Sequence, residues 1–263
     1  GNWRAFRHRN YRILYPANAA SNIGGWVQRL AQDWLVLELT NSGFYLGIVT
    51  ALQFAPVWFF SLPGGALADR FNKRKVLILT NIAAGLTSLI LGILVVTNNV
   101  QIWHVMALAF ALGVADAIDK PVRQSFTSEM VGVVDVPNAV SLNSANFNFG
   151  RLVGPALSGL MIAAFGTGPS FLINAFTYVL VIIVMANIRE GELFREPRAA
   201  GPTTIREGFR YVMARPDLFV VMSAVFFVTT FGLNFQLFNA LMATKVFDKG
   251  VTSFGLMGTV IAI

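Results

Sequence analysis

The 263-residue chain is 55% hydrophobic and only 13% charged, with a net charge of +7 and no cysteine. Soluble domains usually carry about a quarter charged residues, so this composition excludes an ordinary soluble fold. The missing cysteines exclude disulfides and thiol-ligated metals. The Lys and Arg residues lie almost entirely in short connections between apolar runs, which is typical of a membrane protein and not of a nucleic-acid-binding protein.

Apolar segments near the length of a membrane-spanning helix recur along the whole chain. A helix needs about 20 residues to cross the hydrocarbon core, and an open sheet could not satisfy its backbone in lipid. We therefore predict an all-α membrane protein, a polytopic helix bundle with seven spans and part of an eighth. The predicted spans are Ile13–Leu39, Phe44–Ala68, Val76–Thr97, Ile102–Ile118, Ala139–Phe165, Ser170–Ile188, Phe219–Ala243 and Val251–Ile263.

Positive charge alternates from one connection to the next. The first, third and fifth connections carry no charge, whereas the N-terminus and the even connections are basic. The basic residues are Arg4, Arg7, Arg9 and Arg12 at the N-terminus, Arg70, Lys73, Arg74 and Lys75 after the second span, Lys120 and Arg123 after the fourth, and Arg189, Arg195, Arg198, Arg206, Arg210 and Arg215 after the sixth. The positive-inside rule therefore predicts a cytoplasmic N-terminus and cytoplasmic even connections.

The long sixth connection predicts a division of the chain into three parts. Residues 1–188 form a six-helix bundle, 189–217 a cytoplasmic linker, and 218–263 the first helices of a second bundle. Within the linker, Thr204 and Glu207 form a capping box for a short amphipathic helix at the membrane interface. This linker is too short to form a soluble domain.

A weak internal repeat supports two related halves. Ser42 and Gly47 have the same spacing as Ser253 and Gly258, at the start of corresponding spans, as expected for parallel repeats. The chain begins on Gly and ends inside an apolar run. We therefore expect it to be part of a longer protein and unable to transport alone, and a naturally short protein is the alternative.

Span one carries four polar residues on one helical face, because their spacing places them within about 60° of arc. They are Asn18, Asn22, Arg29 and Asp33. Ionisable residues inside a span usually mark a substrate or proton pathway. Alternatively, Arg29 and Asp33 neutralise one another or lie near the outer interface. Arg151 in span five is a lone cation that could neutralise Asp33 or Asp116.

The end of span four carries Asp116, Asp119 and Arg123 on one face. Asp116 is the deepest carboxylate there, and we predict it as the proton carrier. Asp119, Lys120 and Arg123 are predicted to be anchors at the membrane interface.

Span five carries a ridge of small residues, Gly150, Gly154 and Ser158, that would let a neighbouring helix approach closely. Pro155 removes a backbone donor and can bend the helix. Plain helix packing is the alternative to a functional role for this ridge. His8 and His104 are isolated, and no phosphate loop, nucleophile elbow or metal-ligand cluster is present, so we predict no enzyme activity, no cofactor and no metal.

Two motifs carry a resemblance to a known family. The first resembles the signature between the second and third helices of the major facilitator superfamily, and the second resembles the fifth-helix antiporter motif of that superfamily. They are Gly65-x-Leu67-Ala68-Asp69-Arg70-x-x-Lys73-Arg74 and Gly150-x-x-x-Gly154-Pro155-x-x-x-Gly159. The segments Asp119–Gln124 and Arg151–Pro155 are similar to the branch with bacterial enterobactin-exporter-like and macrolide-efflux-like transporters.

The resemblance implies a twelve-helix, proton-coupled exporter of small amphipathic compounds such as drugs or siderophores. It would work by alternating access in the bacterial inner membrane, with the lipid bilayer, a small-molecule substrate and a second half as its partners. The implied gating loop is Gly65, Asp69, Arg70, Lys73 and Arg74. Gly154 and Pro155 would line the contact between the halves, and Gly159 completes that motif. Substrate would bind near Asn22, Arg29 and Asp33.

Two departures from the family pattern bear on this hypothesis. Asn72 replaces a usual glycine in the gating loop, where we expect it to adopt a left-handed turn, and the usual arginine deep in span four is not evident. The alternative function is a non-transporting membrane subunit that uses a transporter scaffold to bind another membrane protein.

Overall fold

The computed structural model describes residues 3–194, 213–228, 235–247 and 250–261, with the side chains of 61, 62, 65–70, 226, 235–237, 244, 245 and 261 left aside. Helices dominate these ranges. They are a 3₁₀ turn at Arg4–Arg7, α1 (Arg9–Thr40), α2 (Gly43–Arg70), α3 (Lys73–Val96), α4 (Ile102–Phe165), α5 (Gly168–Ala186), a 3₁₀ turn at Glu190–Glu192, α6 (Pro216–Phe227), α7 (Phe235–Leu241) leading into a π turn at Met242–Val246, and α8 (Val251–Ile261). No strand occurs in the described ranges, and the all-α prediction is confirmed.

Four of the described helices are long and apolar enough to cross a membrane. These are Gly43–Phe60 in α2, Lys73–Val96, Ile102–Phe165 and Gly168–Ala186. The 32-residue α1 is longer than most of them but is not in this group. Its buried residues include several amides and Asp33, which make it the most polar of the long helices.

Predicted spans four and five are two helices that meet at a sharp kink and together make up α4, with 64 residues. The connection predicted between Ile118 and Ala139 is much shorter than expected, because helix continues from both sides up to a single non-helical residue. That residue is Gly132, with φ 69° and ψ 161°. Only glycine adopts this backbone region readily. We call 102–131 the first arm of α4 and 133–165 its second arm.

The C-terminal predictions are tested only in part. Predicted span seven coincides with α6 and α7, and predicted span eight with α8. Most of the linker lies outside the described residues, including the predicted capping box at Thr204 and Glu207. The three-part division of the chain stays a prediction.

The second and first arms of α4 together contact α1, α2, α3 and α8, while α5 packs against α1 and α3. Two apolar clusters result. One joins Leu35, Leu46, Leu91, Val105 and Phe171, and the other joins Leu14, Leu77, Phe126, Val181 and Met185. Between the two clusters, α1, α3, α4 and α5 carry polar side chains that hydrogen-bond to one another. We call these side chains the polar layer: Asn18, Gln28, Thr80, Asn81, Asp119, Arg123 and Asn174.

Candidate functional site

A partly buried ion pair between Asp119 and Arg123 lies at the centre of the polar layer. Arg123 Nε donates to Asp119 at 2.6 Å, and Thr80 and Asn81 of α3 donate to the same carboxylate at 2.7 Å and 3.0 Å. Arg123 Nη1 donates to the Asn18 side chain of α1 at 2.7 Å. The prediction that Asp119 and Arg123 are interface anchors is wrong, because partners on two other helices hold them within the bundle.

Asp116, the predicted proton carrier, lies nearer the surface than Asp119. Its side chain is 32% exposed, and its carboxylate lies 3.6 Å from the Lys120 Nζ one turn along α4. Exposed ion pairs of this type contribute little to stability. Asp116 is therefore paired with Lys120, a residue that the sequence predicts to be an anchor at the membrane interface.

Arg29 does not form the ion pair that its spacing from Asp33 suggested. Its guanidinium carbon lies 4.9 Å from the Trp26 ring centroid and 5.6 Å from the Phe54 ring centroid, which are typical cation–π distances. Its Nε is buried without a hydrogen-bond partner. Within the described residues no carboxylate oxygen lies within 4.0 Å of the guanidinium. The hypothesis that the two charges are neutralised by direct pairing is therefore wrong.

Asp33 is a buried carboxylate, with only 7% of its surface exposed. The adjacent Gln32 is also buried and donates to Gln53 of α2 at 3.3 Å, which ties this turn of α1 to α2. In the part of the chain that the structure describes, no donor or cation lies within bonding distance of the Asp33 carboxylate. This sets Asp33 apart from Asp116 and Asp119.

The small-residue ridge of the second arm faces α1. A Cβ added at Gly150 would collide with the Asn22 amide, and one added at Gly154 would collide with the Trp26 Cβ. Asn22 donates to a backbone oxygen of the second arm at 2.7 Å, and the Ser158 hydroxyl donates to a backbone oxygen of α1 at 3.0 Å. Gly154 was expected at the contact between the halves, and the structure places it against α1 instead.

The contact with α8 uses the next stripe of the same arm. A Cβ at Gly159 would lie 3.1 Å from the Gly255 Cα, and a Cβ at Gly258 would lie 3.0 Å from the Pro155 Cβ. Backbones this close require glycine on both sides. Pro155 and Gly159 therefore join the second arm to α8, whereas Arg151 is exposed on this arm.

The gating-loop residues are described only in part, because the structure describes only the backbone of Gly65, Asp69 and Arg70. Lys73 Nζ lies 2.6 Å from a Glu129 carboxylate oxygen, which joins the start of α3 to the first arm. Arg74 donates to the backbone oxygens of Met185 and Ala186 at 2.7 Å and 2.6 Å, and to Glu190 at 3.1 Å. These bonds fix the start of α3 to the first arm of α4 and to the end of α5.

Asn72 does not adopt the left-handed conformation expected for a glycine replacement. Its φ is −67° and its ψ is 109°, and its side chain accepts a hydrogen bond from the Lys75 backbone N–H at 3.3 Å. Asn72 is therefore the N-cap of α3. A glycine could not supply this side-chain oxygen.

His8, which appeared isolated in the sequence, has a partner across the bundle. Its Nε2 lies 2.9 Å from an Asp135 carboxylate oxygen, and Arg4 Nε lies 3.1 Å from the other oxygen. The backbone N–H of Ala5 donates to the Asn138 side chain at 2.9 Å. The hydrogen bond to His8 and the charge of Arg4 hold the pKa of Asp135 below its ordinary value. Asp135 precedes the predicted fifth span, so this cluster fastens the N-terminal turn beside the kink in α4.

Comparison with known proteins decides the family. Residues 1–262 match the family described as transmembrane secretion effector. The chain belongs to this family. Its relatives are transporters of the major facilitator type, so the resemblance inferred from the two motifs is confirmed.

Three curated relatives show the range of the family. The staphyloferrin A transporter of Staphylococcus aureus is 25% identical over 92% of this chain and 61% of its own length. Macrolide efflux protein A of Streptococcus pyogenes is 21% identical over 78% of this chain and 50% of its own length. The enterobactin exporter EntS of Shigella flexneri is 20% identical over 80% and 52%. The chain thus spans between half and two thirds of their lengths.

A solved structure supports the fold. A bacterial homologue of the human lysosomal transporter Spinster, in an inward-facing and unoccupied conformation, superposes with a TM-score of 0.74 at 16% identity. The match covers 98% of this chain and 60% of that one. At this identity the likeness establishes the helix-bundle fold alone.

Sequence reasoning missed the polar residues that complete the polar layer. Thr80 and Asn81 are two of the few polar residues in an apolar span, and Asn174 of α5 donates to Gln28 of α1 at 2.7 Å. Polar side chains within membrane spans usually hydrogen-bond across helices. Isolated polar residues in apolar spans were therefore the available signal, but the sequence did not show which of them meet.

Proposed function

We propose that this protein is a proton-coupled secondary exporter of small amphipathic compounds such as drugs or siderophores, working by alternating access. The relatives named above are a siderophore transporter, an efflux protein and an exporter, which supports export from the cell. The same relatives favour transport over a non-transporting subunit. The ionisable residues Arg29 and Asp33 of α1 give such a transporter a place for substrate and proton.

Asp33 is the observation that carries the proton-coupling part of this proposal. Asp116, Asp119 and Glu129 each lie within 4.0 Å of a cationic nitrogen, at 3.6 Å, 2.6 Å and 2.6 Å respectively. A proton can reach or leave Asp33 without first breaking such an ion pair. Ionisable residues within spans mark proton relays. We therefore assign the coupling proton to Asp33 in place of Asp116.

The packing of α8 on the second arm supports alternating access. Gly159 and Gly255 meet backbone to backbone, so neither residue places a side chain between these two segments. Rocking of one repeat against the other is the usual basis of alternating access. The Gly159–Gly255 contact is where such movement would be easiest.

The transport test uses the protein as its gene encodes it, expressed in a bacterial strain without its major efflux pumps. Cells are loaded with a fluorescent amphipathic dye, and efflux is followed with and without a protonophore. We expect protonophore-sensitive efflux that Asp33→Asn abolishes and that Asp116→Asn, the matched control, leaves at half or more of its rate. Efflux that survives Asp33→Asn would contradict the assignment of the proton, and absent efflux in the unaltered protein would contradict export.

We place the protein in a bacterial inner membrane, with its N-terminus on the cytoplasmic side. Because the chain has no cysteine, single cysteines can report the sidedness of each connection. We expect Asn99→Cys to react with an impermeant maleimide in intact cells, and Gly191→Cys to react only after permeabilisation. Both positions are exposed. The reverse labelling pattern would invert the proposed orientation.

A further inference from the structure

Arg29 lies among aromatic rings from three segments. Its guanidinium stacks over Trp26 of α1 and Phe54 of α2, and the Trp26 ring meets Phe147 of the second arm edge-on at 5.5 Å. Phe54 and Phe147 are 42% and 52% exposed. Arg151, one turn after Phe147, is also exposed. We call this set of five residues the Arg29 surface.

Arg29 differs from other cations in the bundle because no carboxylate among the described residues is paired with it. Lys73, Lys120 and Arg123 each have a carboxylate oxygen at 2.6 Å, 3.6 Å and 2.6 Å. Arg29 has none within 4.0 Å among the described residues, and its Nε is buried without an acceptor. A donor nitrogen withdrawn from water, as Nε of Arg29 is, is costly unless an acceptor compensates it. An anionic ligand can supply that acceptor.

The Arg29 surface is unsuited to face lipid. Charged side chains within spans face the bundle interior or a water-filled cavity, and this surface carries two of them. Asn22 borders it, since its amide packs where a Cβ of Gly150 would lie, next to the Trp26 ring. The surface therefore combines exposed aromatic rings with positive charge on an interior side of the bundle.

We infer that the Arg29 surface binds the anionic group of an amphipathic substrate, so that the exported compounds carry a carboxylate, sulfonate or similar acid. The Arg29 guanidinium binds the anion, because a cation that is already paired with a carboxylate would first have to break that ion pair. Phe54 and Phe147 receive the apolar or aromatic body. This inference rests on the proposed export function and adds the charge of the substrate to it.

Two dyes that share one ring system test the inference directly. Anilinonaphthalene sulfonate is anionic, and phenylnaphthylamine is its neutral counterpart. Each is titrated against the full chain in nanodiscs, with empty nanodiscs subtracted. We expect the unaltered protein to bind the sulfonate more tightly. Arg29→Gln should weaken sulfonate binding by about tenfold, as expected for loss of a hydrogen bond to a charged group, and leave the neutral dye within about twofold.

Two further variants separate charge from structure. Arg29→Lys keeps the cation and should retain most of the sulfonate preference. Lys120→Gln removes a cation that already has a carboxylate partner, and it should change neither dye. Equal affinity of the unaltered protein for the two dyes would overturn the inference without any variant, as would an equal loss of both dyes in Arg29→Gln. Dye export in cells is scored separately, so a protein that exports only neutral dyes would keep the proposed function and lose this inference.

Discussion

Arg123 donates two hydrogen bonds to the carboxylate of Asp119, one helical turn earlier in α4, from Nε at 2.6 Å and from Nη2 at 3.0 Å. The third guanidinium nitrogen donates to Asn18 of α1 at 2.7 Å, and Thr80 and Asn81 of α3 donate to Asp119. One ion pair therefore joins three helices. Helices in a membrane gain no hydrophobic free energy by packing together, because lipid is as apolar as their own side chains. A hydrogen-bonded network such as this one therefore helps to fix the relative positions of the three helices.

Removing one member of this pair should destabilise the bundle. We expect Asp119→Asn or Arg123→Gln to lower the free energy of unfolding by about 3 kcal/mol, because each leaves a partly buried charge without its partner. The double variant should lose less than the sum of the two. Thermal unfolding in detergent measures this. Asp116→Asn, at the more exposed pair, is the control and should cost about 0.5 kcal/mol or less. Equal effects at Asp116 and Asp119 would contradict the assignment of the network.

Gly255→Ala should disturb the contact between α8 and the second arm. The added Cβ would lie 2.6 Å from the Pro155 backbone oxygen and 2.9 Å from the Gly159 Cα. Since both neighbours are backbone atoms, the helices must separate, at a cost of about 1–3 kcal/mol, and transport should slow. Gly25→Ala in α1 is the control, because no atom lies within 4 Å of its Cβ position. Dye efflux and thermal unfolding that are the same for both variants would argue against a close contact.

Gly132→Ala should be destabilising because of the backbone and not only because of crowding. The φ of 69° and ψ of 161° at Gly132 belong to a region used almost only by glycine, and forcing another residue there costs about 1–3 kcal/mol. The Phe194 ring also lies 3.3 Å from the Cβ position. The matched control is Gly191→Ala, with open space around it. A melting temperature unchanged by Gly132→Ala would show that the backbone between the two arms of α4 does not adopt this conformation.

Asp135 should make the N-terminal cluster sensitive to acid. Because His8 and Arg4 lower the pKa of Asp135 in the folded protein, its contribution is complete above the ordinary Asp pKa of about 3.9 and is lost as the pH falls through the lower folded value. Asp135→Asn should therefore be less stable than the unaltered protein at pH values of about 5 and above, and the difference should shrink below about 4. Detergent melting curves across this range measure it. A difference that grows on acidification would contradict the sign.

Side-chain partners were the part of the site that spacing could not predict. The i,i+4 spacing of Arg29 and Asp33 correctly places them on one face of a helix, as does that of Asp119 and Arg123. Only the second pair forms an ion pair, because Trp26 and Phe54 hold the Arg29 guanidinium while Thr80 and Asn81 orient the Asp119 carboxylate. The spacing is the same, and the surrounding side chains, most of them on other helices, decide the outcome.

The sequence by itself determined that this is an all-α membrane protein of the major facilitator type, because span length, missing charge and two motifs are local properties. It also predicted the first three spans and the sixth to within a few residues. The tertiary structure decided that the two helices of α4 meet directly at Gly132, that Gly154 faces α1 while Pro155 and Gly159 face α8, and that no cation among the described residues lies within 4.0 Å of the Asp33 carboxylate. Each of these depends on which helix lies opposite, and a helix sequence specifies its own faces but not its neighbours.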